Sequence, residues 1–171
     1  MPARRNKRPE GWDELRKYGQ QIEGTRFVVF KTPLQWTSWN LNTVRRKLPE
    51  MFSIIDLTMT DRYYSHQECV NLGLQHRKIP LRGQGSLPSE EEVEQFYETV
   101  GEFLDAQDDG LVGVHSTGYK RPGLLICRYM IEMLEYDPEE AVQAYNDASG
   151  YNIDQESYLT YLHTRAWEVD N

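Results

Sequence analysis

Cysteine is scarce in this sequence: its 171 residues contain only two, Cys69 and Cys127. They lie far apart in apolar or mixed contexts, which does not suggest the paired spacing of a disulfide framework. Neither residue lies in a loop that could activate a thiolate, so we expect both to be small buried side chains. The lack of a disulfide framework favours an intracellular protein, in the nucleus or the cytoplasm.

Long apolar runs are also missing, and this absence excludes further classes of protein. No stretch of 18 apolar residues exists, and the first residues lack the apolar segment of a signal peptide. We therefore predict no contact with a membrane. The histidines show no metal-ligand spacing with one another or with the cysteines, so we predict no metal and no other cofactor. The four histidines are His66, His76, His115 and His163.

Positive charge is in deficit overall, with a formal net charge of −8, which argues against a surface generally covered by nucleic acid. Its distribution is uneven, because residues 1–10 carry four cations. We predict that residues 1–10 are a disordered basic tail and that residues 11–171 form one domain. The tail is either a solvated end, an arm that contacts RNA phosphates, or a nuclear localisation signal. The four cations are Arg4, Arg5, Lys7 and Arg8.

Apolar runs alternate with helical patterns along the chain, which predicts an α/β fold with a central, mostly parallel sheet flanked by helices. Ser89, followed by three glutamates, is a helix N-cap with an acidic first turn, and Pro138 suits the first position of another helix. The strands are predicted at residues 26–31, 52–57, 75–81 and 111–114. The helices are predicted within residues 36–48 and at about 90–106, 124–134, 138–149 and 154–167.

Residues 111–134 contain the most informative pattern. A short apolar strand at residues 111–114 precedes a polar turn, and a long apolar helix follows. We predict that this strand is central in the sheet and that the helix begins within two residues of Pro122. A tight loop between a strand and a helix N-terminus binds phosphate, because unpaired backbone N–H groups and the helix dipole both favour an anion. Arg121 would add a planar, charged fork beside that anion.

The segment from His115 to Arg121 resembles the active-site loop of cysteine-dependent phosphatases, His-Cys-x5-Arg, with one residue missing. Ser116 directly follows His115, and four residues separate Ser116 from Arg121. A cysteine between His115 and Ser116 would restore the pattern. Two explanations are open. Either the loop is truly shortened and the protein is an inactive pseudophosphatase that serves as a binding module, or the written sequence omits a chemically modified cysteine.

The resemblance extends over most of the chain, from about residue 12 to residue 162, and is greatest to the RNA 5′-triphosphatase branch of these phosphatases. That branch includes the metazoan mRNA-capping triphosphatase domain, the baculovirus RNA phosphatase and the phosphatase that interacts with RNA/RNP complexes. Two arginines of the branch are replaced here by Ser149 and Gln155, and Pro122 stands where a threonine is expected. The matching segments are residues 24–34, 54–58, 62–64, 111–129 and 158–159.

The resemblance implies roles for individual residues. The catalytic group would be Arg121, His115 and Ser116, which flank the missing cysteine, with supporting roles for Asp56 and Arg62. Three of these residues also have an alternative role. His115 could be a structural histidine, Asp56 a strand-end cap, and Arg62 the ion-pair partner of a nearby acid. The phosphate-binding residues would be Ser116, Thr117, Gly118, Tyr119, Lys120 and Arg121.

The substrate can be argued from leaving-group chemistry. A tyrosine phosphatase uses a general acid because its phenolate leaving group is strongly basic, with a pKa near ~10. The corresponding loop, residues 79–88, contains no aspartate or glutamate. A phosphoanhydride needs little protonation to depart, so the RNA 5′ end, as a di- or triphosphate, is the predicted substrate and partner. Glu90 or Glu91 could replace the acid, in which case a phosphoprotein (dual-specificity) phosphatase is the alternative.

Overall fold

The computed structural model describes residues 6–83 and 86–170 and contains four strands and six α-helices within these ranges, together with a short 3-10 turn at Trp12–Glu14. The strands are β1 (Phe27–Val29), β2 (Met51–Asp56), β3 (Gln75–Lys78) and β4 (Leu111–His115). The helices are α1 (Leu41–Lys47), α2 (His66–Asn71), α3 (Glu90–Ala106), α4 (Lys120–Leu134), α5 (Pro138–Ser149) and α6 (Glu156–Asp170).

The four strands form one sheet in the order β1-β4-β2-β3, and every pairing is parallel. Strand β4 is therefore internal, and all five of its residues are buried. This confirms the predicted α/β fold and the central position of residues 111–114. Because the strands are parallel, their carboxyl ends meet at one edge of the sheet, which is where open α/β sheets bind ligands.

Alternate residues of the strands point into two apolar layers, as the period of two in a β-strand requires. Val112 and Val114 face the layer covered by α3, α4, α5 and α6. Val28 and Ile54 face the opposite layer, covered by α1, α2 and Trp12. Both faces of the sheet are thus buried, and its edges and the loops at the ends of the strands meet solvent.

The helix boundaries follow local capping chemistry. Helix α4 begins at Lys120, which confirms a start within two residues of Pro122. Helix α3 begins after a capping box in which the Ser89 hydroxyl accepts from the backbone N–H of Glu92 and the Glu92 carboxylate accepts from that of Ser89. Helix α2 is an addition to the predicted elements, and Ser65 caps it in the same way.

The prediction for the N-terminal tail falls partly on residues 1–5, which lie outside the described residues, and it stays a prediction. Lys7, in the part of the tail that is described, has its backbone carbonyl bound by Arg62 at 2.8 Å. Among the described residues, no helix is long and apolar enough to span a membrane.

Candidate active site

The predicted phosphate loop lies at the carboxyl end of the central strand. Strand β4 ends at His115 and helix α4 begins at Lys120, so the connection is residues 116–119. Ser116 is buried and Thr117 is exposed. The first turn of the 15-residue helix opens toward the loop, and its aligned peptide dipoles give the loop positive potential. The strand, loop and helix N-terminus follow one another as predicted, and binding of an anion by this loop stays a prediction.

A cavity of about 430 Å³ lies over this loop. Its floor is residues 116–122, and its walls are Glu10, Gly11, Leu15 and Tyr151. Tyr151 is one of the positions that align with the arginine-bearing segment of the RNA 5′-triphosphatase branch. An aromatic ring and a short N-terminal segment therefore enclose the site where that branch carries more positive charge.

Tyr119 anchors the loop to the rest of the domain. Its side chain is 2% exposed, and its hydroxyl donates to the backbone carbonyl of Arg16. Its own carbonyl accepts a 2.6 Å hydrogen bond from the hydroxyl of Tyr145 on α5. Burial raises the pKa of Tyr119, so the phenol stays neutral. Tyr119 therefore contributes its backbone to the loop, while its side chain fixes the loop in place.

Arg121 is half-buried and holds the neighbouring loop against the phosphate loop. Its guanidinium donates to the backbone carbonyls of Leu81 at 3.5 Å, of Arg82 at 3.0 Å and of Gly83. Burial lowers the pKa of Arg121, but an arginine remains protonated in proteins. Leu81, Arg82 and Gly83, which belong to the loop without an acid, are thereby tied to the site by their main-chain oxygens.

His115 is fully buried, and its Nε2 lies 2.5 Å from the hydroxyl of Tyr64. Burial lowers the pKa of His115 to about 4, so the ring is neutral at physiological pH. Its Nδ1 has no hydrogen-bond partner among the described residues. A buried polar atom left without a partner costs about 1–3 kcal/mol.

Asp56 ends strand β2 opposite His115 in the sheet register. One carboxylate oxygen accepts from the backbone N–H of Thr58 at 2.8 Å and from its hydroxyl at 2.6 Å. The other lies 3.2 Å from Nζ of Lys78, 3.7 Å from Nε2 of His76 and 3.9 Å from Nε2 of His115. Burial alone would raise the pKa of Asp56, but these neighbours together hold it well below its usual range. Asp56 thus both caps the strand end and borders the ring that precedes the phosphate loop.

Arg62 lies on the loop after β2 and has an exposed side chain. Its guanidinium carbon lies 4.6 Å from the centre of the Tyr63 ring, and its Nη1 donates to the carbonyl of Lys7. Asp61, which could have paired with it, lies 3.8 Å from Lys78. The predicted phosphate contact of Arg62 stays a prediction.

Both cysteines are buried, as predicted, and neither could serve as a thiolate nucleophile. Burial raises the pKa of Cys69 to about 12, and it also raises the pKa of Cys127. Among the described residues, no three histidine, cysteine or acidic side chains form a group that could hold a metal ion. A catalytic nucleophile is therefore not supplied by the two cysteines of the written chain.

The sequence did not predict that Tyr64, His76 and Lys78 belong to this region. The pairing of β2 with β3 brings Asp56 opposite Lys78 and Ile54 opposite His76. His76 and Lys78 are two residues apart and therefore share one face of β3. The spacing of His76 and Lys78 was visible in the sequence, but the pairing of β3 with β2 was not.

Comparison with known proteins identifies the family. The chain is 38% identical over 168 residues to putative tyrosine-protein phosphatase 1 of Orgyia pseudotsugata multicapsid polyhedrosis virus, covering 92% of this chain and 76% of that protein. It is 35% identical to the tyrosine-protein phosphatase of Autographa californica nuclear polyhedrosis virus, covering 90% and 98%. The chain belongs to the cysteine-dependent phosphatases of the protein-tyrosine phosphatase superfamily. No protein-family model matches it.

Other members of the family are longer. The chain is 34% identical to the RNA/RNP complex-1-interacting phosphatase of Mus musculus and covers 94% of itself but 54% of that protein. It spans 48% of the probable tyrosine-protein phosphatase pir-2 of Caenorhabditis elegans, at 33% identity. A solved structure of PTPMT1 in complex with PI(5)P matches with a TM-score of 0.70 at 17% identity, covering 91% of this chain and 97% of that one. That likeness supports the phosphatase fold.

Proposed function

We propose that this protein is a metal-independent phosphatase of RNA 5′-di- and triphosphate ends, working inside the cell in the nucleus or the cytoplasm. Its nucleophile would be a cysteine that belongs between His115 and Ser116. The observation that best supports an RNA 5′-di- or triphosphate substrate is the contact of Arg121 with residues 81–83, because this contact brings an acid-free loop beside the phosphate loop. The names of the RNA/RNP complex-1-interacting phosphatases agree with an RNA substrate.

Two of the three carboxylates that follow that loop in sequence, Glu90 and Glu92, have other partners. Glu90 accepts from Arg128 at 2.7 Å, and Arg165 lies 3.3 Å away. Glu92 accepts from the backbone N–H groups of Ser89 and Arg82. Glu90 and Glu92 are therefore poorly placed to protonate a strongly basic leaving group, whereas a diphosphate leaving group needs little protonation.

The chemistry would proceed in two steps. The thiolate attacks the terminal phosphorus, a phosphorus–sulfur bond forms, and the anhydride phosphorus–oxygen bond breaks to release diphosphate-ended RNA. Water then attacks the phosphocysteine, which releases inorganic phosphate and restores the thiolate. The loop N–H groups and Arg121 would hold the equatorial oxygens as charge spreads over them. Ser116 is a poor nucleophile in its own right, because its alcohol is un-ionised and no base is paired with it.

The omission of one residue is supported by the unpartnered Nδ1 of His115. An additional residue after His115 would add a peptide group next to this buried ring. A cysteine there would also lie at the N-terminal end of α4 near Arg121, and both features lower the pKa of a thiol. The intact mass of the protein from its natural source tests the omission: we expect one cysteine residue more than the written chain contains, with or without a modification.

The activity test compares three chains: the written one, one with cysteine inserted between His115 and Ser116, and one with serine inserted there. We expect only the cysteine chain to release phosphate from triphosphate-ended RNA, without magnesium and in the presence of a chelator. It should act much more slowly on a phosphotyrosine peptide. Equal or faster hydrolysis of the peptide would contradict the RNA assignment, and loss of activity with a chelator would exclude the cysteine mechanism.

Glu10 offers a sharper test of the leaving-group argument, because its exposed side chain lines the same cavity. If the anhydride needs no acid, Glu10→Gln in the cysteine chain should change the rate on triphosphate-ended RNA by less than about threefold. A general acid contributes about 10²–10⁴-fold, so a loss of that size would show that Glu10 protonates the leaving group. The proposal that the reaction needs no general acid would then be wrong.

The second candidate is a binding module without catalysis. The written sequence itself favours it, because it has no cysteine in the loop and lacks two of the cations that the branch carries near the last helix. A natural mass equal to that of the written chain, together with binding of triphosphate-ended RNA without turnover, would establish this role.

A further inference from the structure

A hydrogen-bonded series of side chains runs from solvent to the ring of His115. The hydroxyl of Tyr64 lies 2.5 Å from Nε2 of His115 and 3.2 Å from Nε2 of His76. Nδ1 of His76 lies 2.9 Å from Nδ1 of His66. His66 is exposed and is the first residue of α2, whereas His115 is fully buried. The residue at the base of the phosphate loop is thus connected to the surface through three contacts.

Each contact requires one hydrogen, which limits how the protons can be arranged. A neutral imidazole carries hydrogen on one nitrogen only, and a hydroxyl has a single hydrogen to donate. In one arrangement, His66 donates to His76, His76 to Tyr64 and Tyr64 to His115, so that His115 carries its hydrogen on Nδ1. In the other, every bond is reversed and His115 carries its hydrogen on Nε2. The tautomers of the three rings therefore change together.

An extra proton at the outer end permits only one of these arrangements. The contact between the two Nδ1 atoms holds one hydrogen, so a protonated pair of His66 and His76 has hydrogen on both Nε2 atoms as well. Nε2 of His76 must then donate to Tyr64. The Tyr64 hydrogen goes to Nε2 of His115, at the short distance of 2.5 Å, in preference to the Asp56 carboxylate, its other acceptor. With that donation the ring of His115 carries its hydrogen on Nδ1, the buried nitrogen that has no partner in the described residues.

We propose that His66, His76 and Tyr64 form a proton relay in which protonation at the surface sets the tautomer of His115. These three are positioning residues, since they act on the phosphate loop through His115. The relay itself depends only on the hydrogen-bonded geometry. Its consequence for catalysis rests on the proposed function, in which the residue after His115 is the nucleophile and Nδ1 adjoins it.

The charged groups around the relay agree with this direction of proton movement. Asp56 lies 3.7 Å from Nε2 of His76 and stabilises a hydrogen there, while Lys78, 3.2 Å from Asp56, partly offsets that charge. Burial raises the pKa of Tyr64, as do the charge of Asp56 and a hydrogen bond with it, and Cys69 and Glu68 on α2 act in the same direction, so the phenol keeps its hydrogen. Burial lowers the pKa of His115 to about 4, so the inner ring itself takes up no extra proton above that pH.

The test is nuclear magnetic resonance of the ring nitrogens in protein labelled at histidine with ¹⁵N, across pH 5 to 8, where histidines ordinarily titrate. In the wild type, we expect His115 to change from a mixture of tautomers to the Nδ1–H form as the pH falls. His76→Gln should abolish this response, because glutamine does not titrate. His163→Ala, which changes an exposed histidine on α6, should leave it intact. A His115 tautomer that is independent of pH in the wild type, or that still responds in His76→Gln, would overturn the relay.

A second variant keeps the relay testable if His76→Gln does not fold. His66→Ala removes an exposed side chain and the shared hydrogen, and we expect the midpoint of the His115 response to shift. An unchanged midpoint would exclude His66 from the relay. The nuclear magnetic resonance signal needs no turnover, so its failure would leave the phosphatase proposal unaffected, and an inactive protein would leave the relay standing.

Discussion

The buried ring of His115 should make the stability of the domain fall as the pH is lowered from 7.5 to 4.5. Its pKa is about 4 in the fold, against about 6.5 in an unfolded chain, so the unfolded chain binds a proton first as the solution is acidified. The contribution of this depressed pKa is complete above about pH 6.5 and is lost as the pH falls toward 4. Linkage over the interval from pH 7.5 to 4.5 gives a loss of about 2.5 kcal/mol, or about 5–10 °C in Tm for a chain of this size.

The assay is urea unfolding of the wild type and of His115→Gln at the two pH values. Glutamine does not titrate, so the difference in unfolding free energy between the two proteins should shrink by about 2.5 kcal/mol on acidification. The pH-independent cost of losing the ring cancels in this comparison. His163→Gln is the matched control, because it changes an exposed histidine and should retain the wild-type response. A difference that stays constant within about 0.5 kcal/mol would refute the argument, because His115 would then not be held neutral by burial.

Two further predictions concern the packing behind the site. Gly123→Ala should destabilise the domain by about 1–3 kcal/mol, because its Cβ would lie 2.6 Å from the Tyr145 ring. Gly101→Ala, a helical glycine with nothing within 4 Å of the new atom, should instead stabilise it by about 0.5–1 kcal/mol, and thermal unfolding of both variants checks the contrast. Arg128→Met should cost about 1–3 kcal/mol, because its side chain is 5% exposed and its guanidinium is bound to two carboxylates at 2.7 Å. The exposed ion pair of Arg77 provides the comparison: Arg77→Met should cost less than about 1 kcal/mol in urea unfolding, and equal costs would contradict the role of burial.

The fold was predictable wherever a single segment contained its own signal. Helix α3 has the predicted bounds because Ser89 and Glu92 form a capping box before a regular apolar stripe. Strand β4 was predictable because the apolar run at residues 111–114 is typical of a strand covered on both faces, and the strand of the structure extends one residue further, to His115. Helix α2 was missed because it is six residues long and has one buried residue, Cys69, so no apolar period could form. Its capping box at Ser65 was the remaining signal in the sequence.

The same distinction holds for the candidate active site: the part contained in one segment was predictable, and the part assembled from several segments was not. The phosphate loop was predictable because strand, turn and helix N-terminus follow one another in the chain. The group of Asp56, Tyr64 and His76 was not, because these residues come from β2, the loop after it and β3, and only the strand pairing brings them together. Sequence spacing had given no reason to connect His66, His76 and His115. Their hydrogen bonds arise from tertiary structure alone.

The contacts of Arg121 explain how the loop at residues 79–88 can take part in the site without an acid. The guanidinium binds the backbone carbonyls of residues 81–83, and those oxygens are present whatever the side chains are. The loop can therefore position the arginine while contributing no proton. Bonds from a guanidinium to a phosphate are charge-assisted and stronger than bonds to neutral carbonyls, so a bound anion could compete for the same donors. For an anhydride substrate, this positioning is the contribution that the chemistry requires, whereas a phenyl phosphate would also need the missing acid.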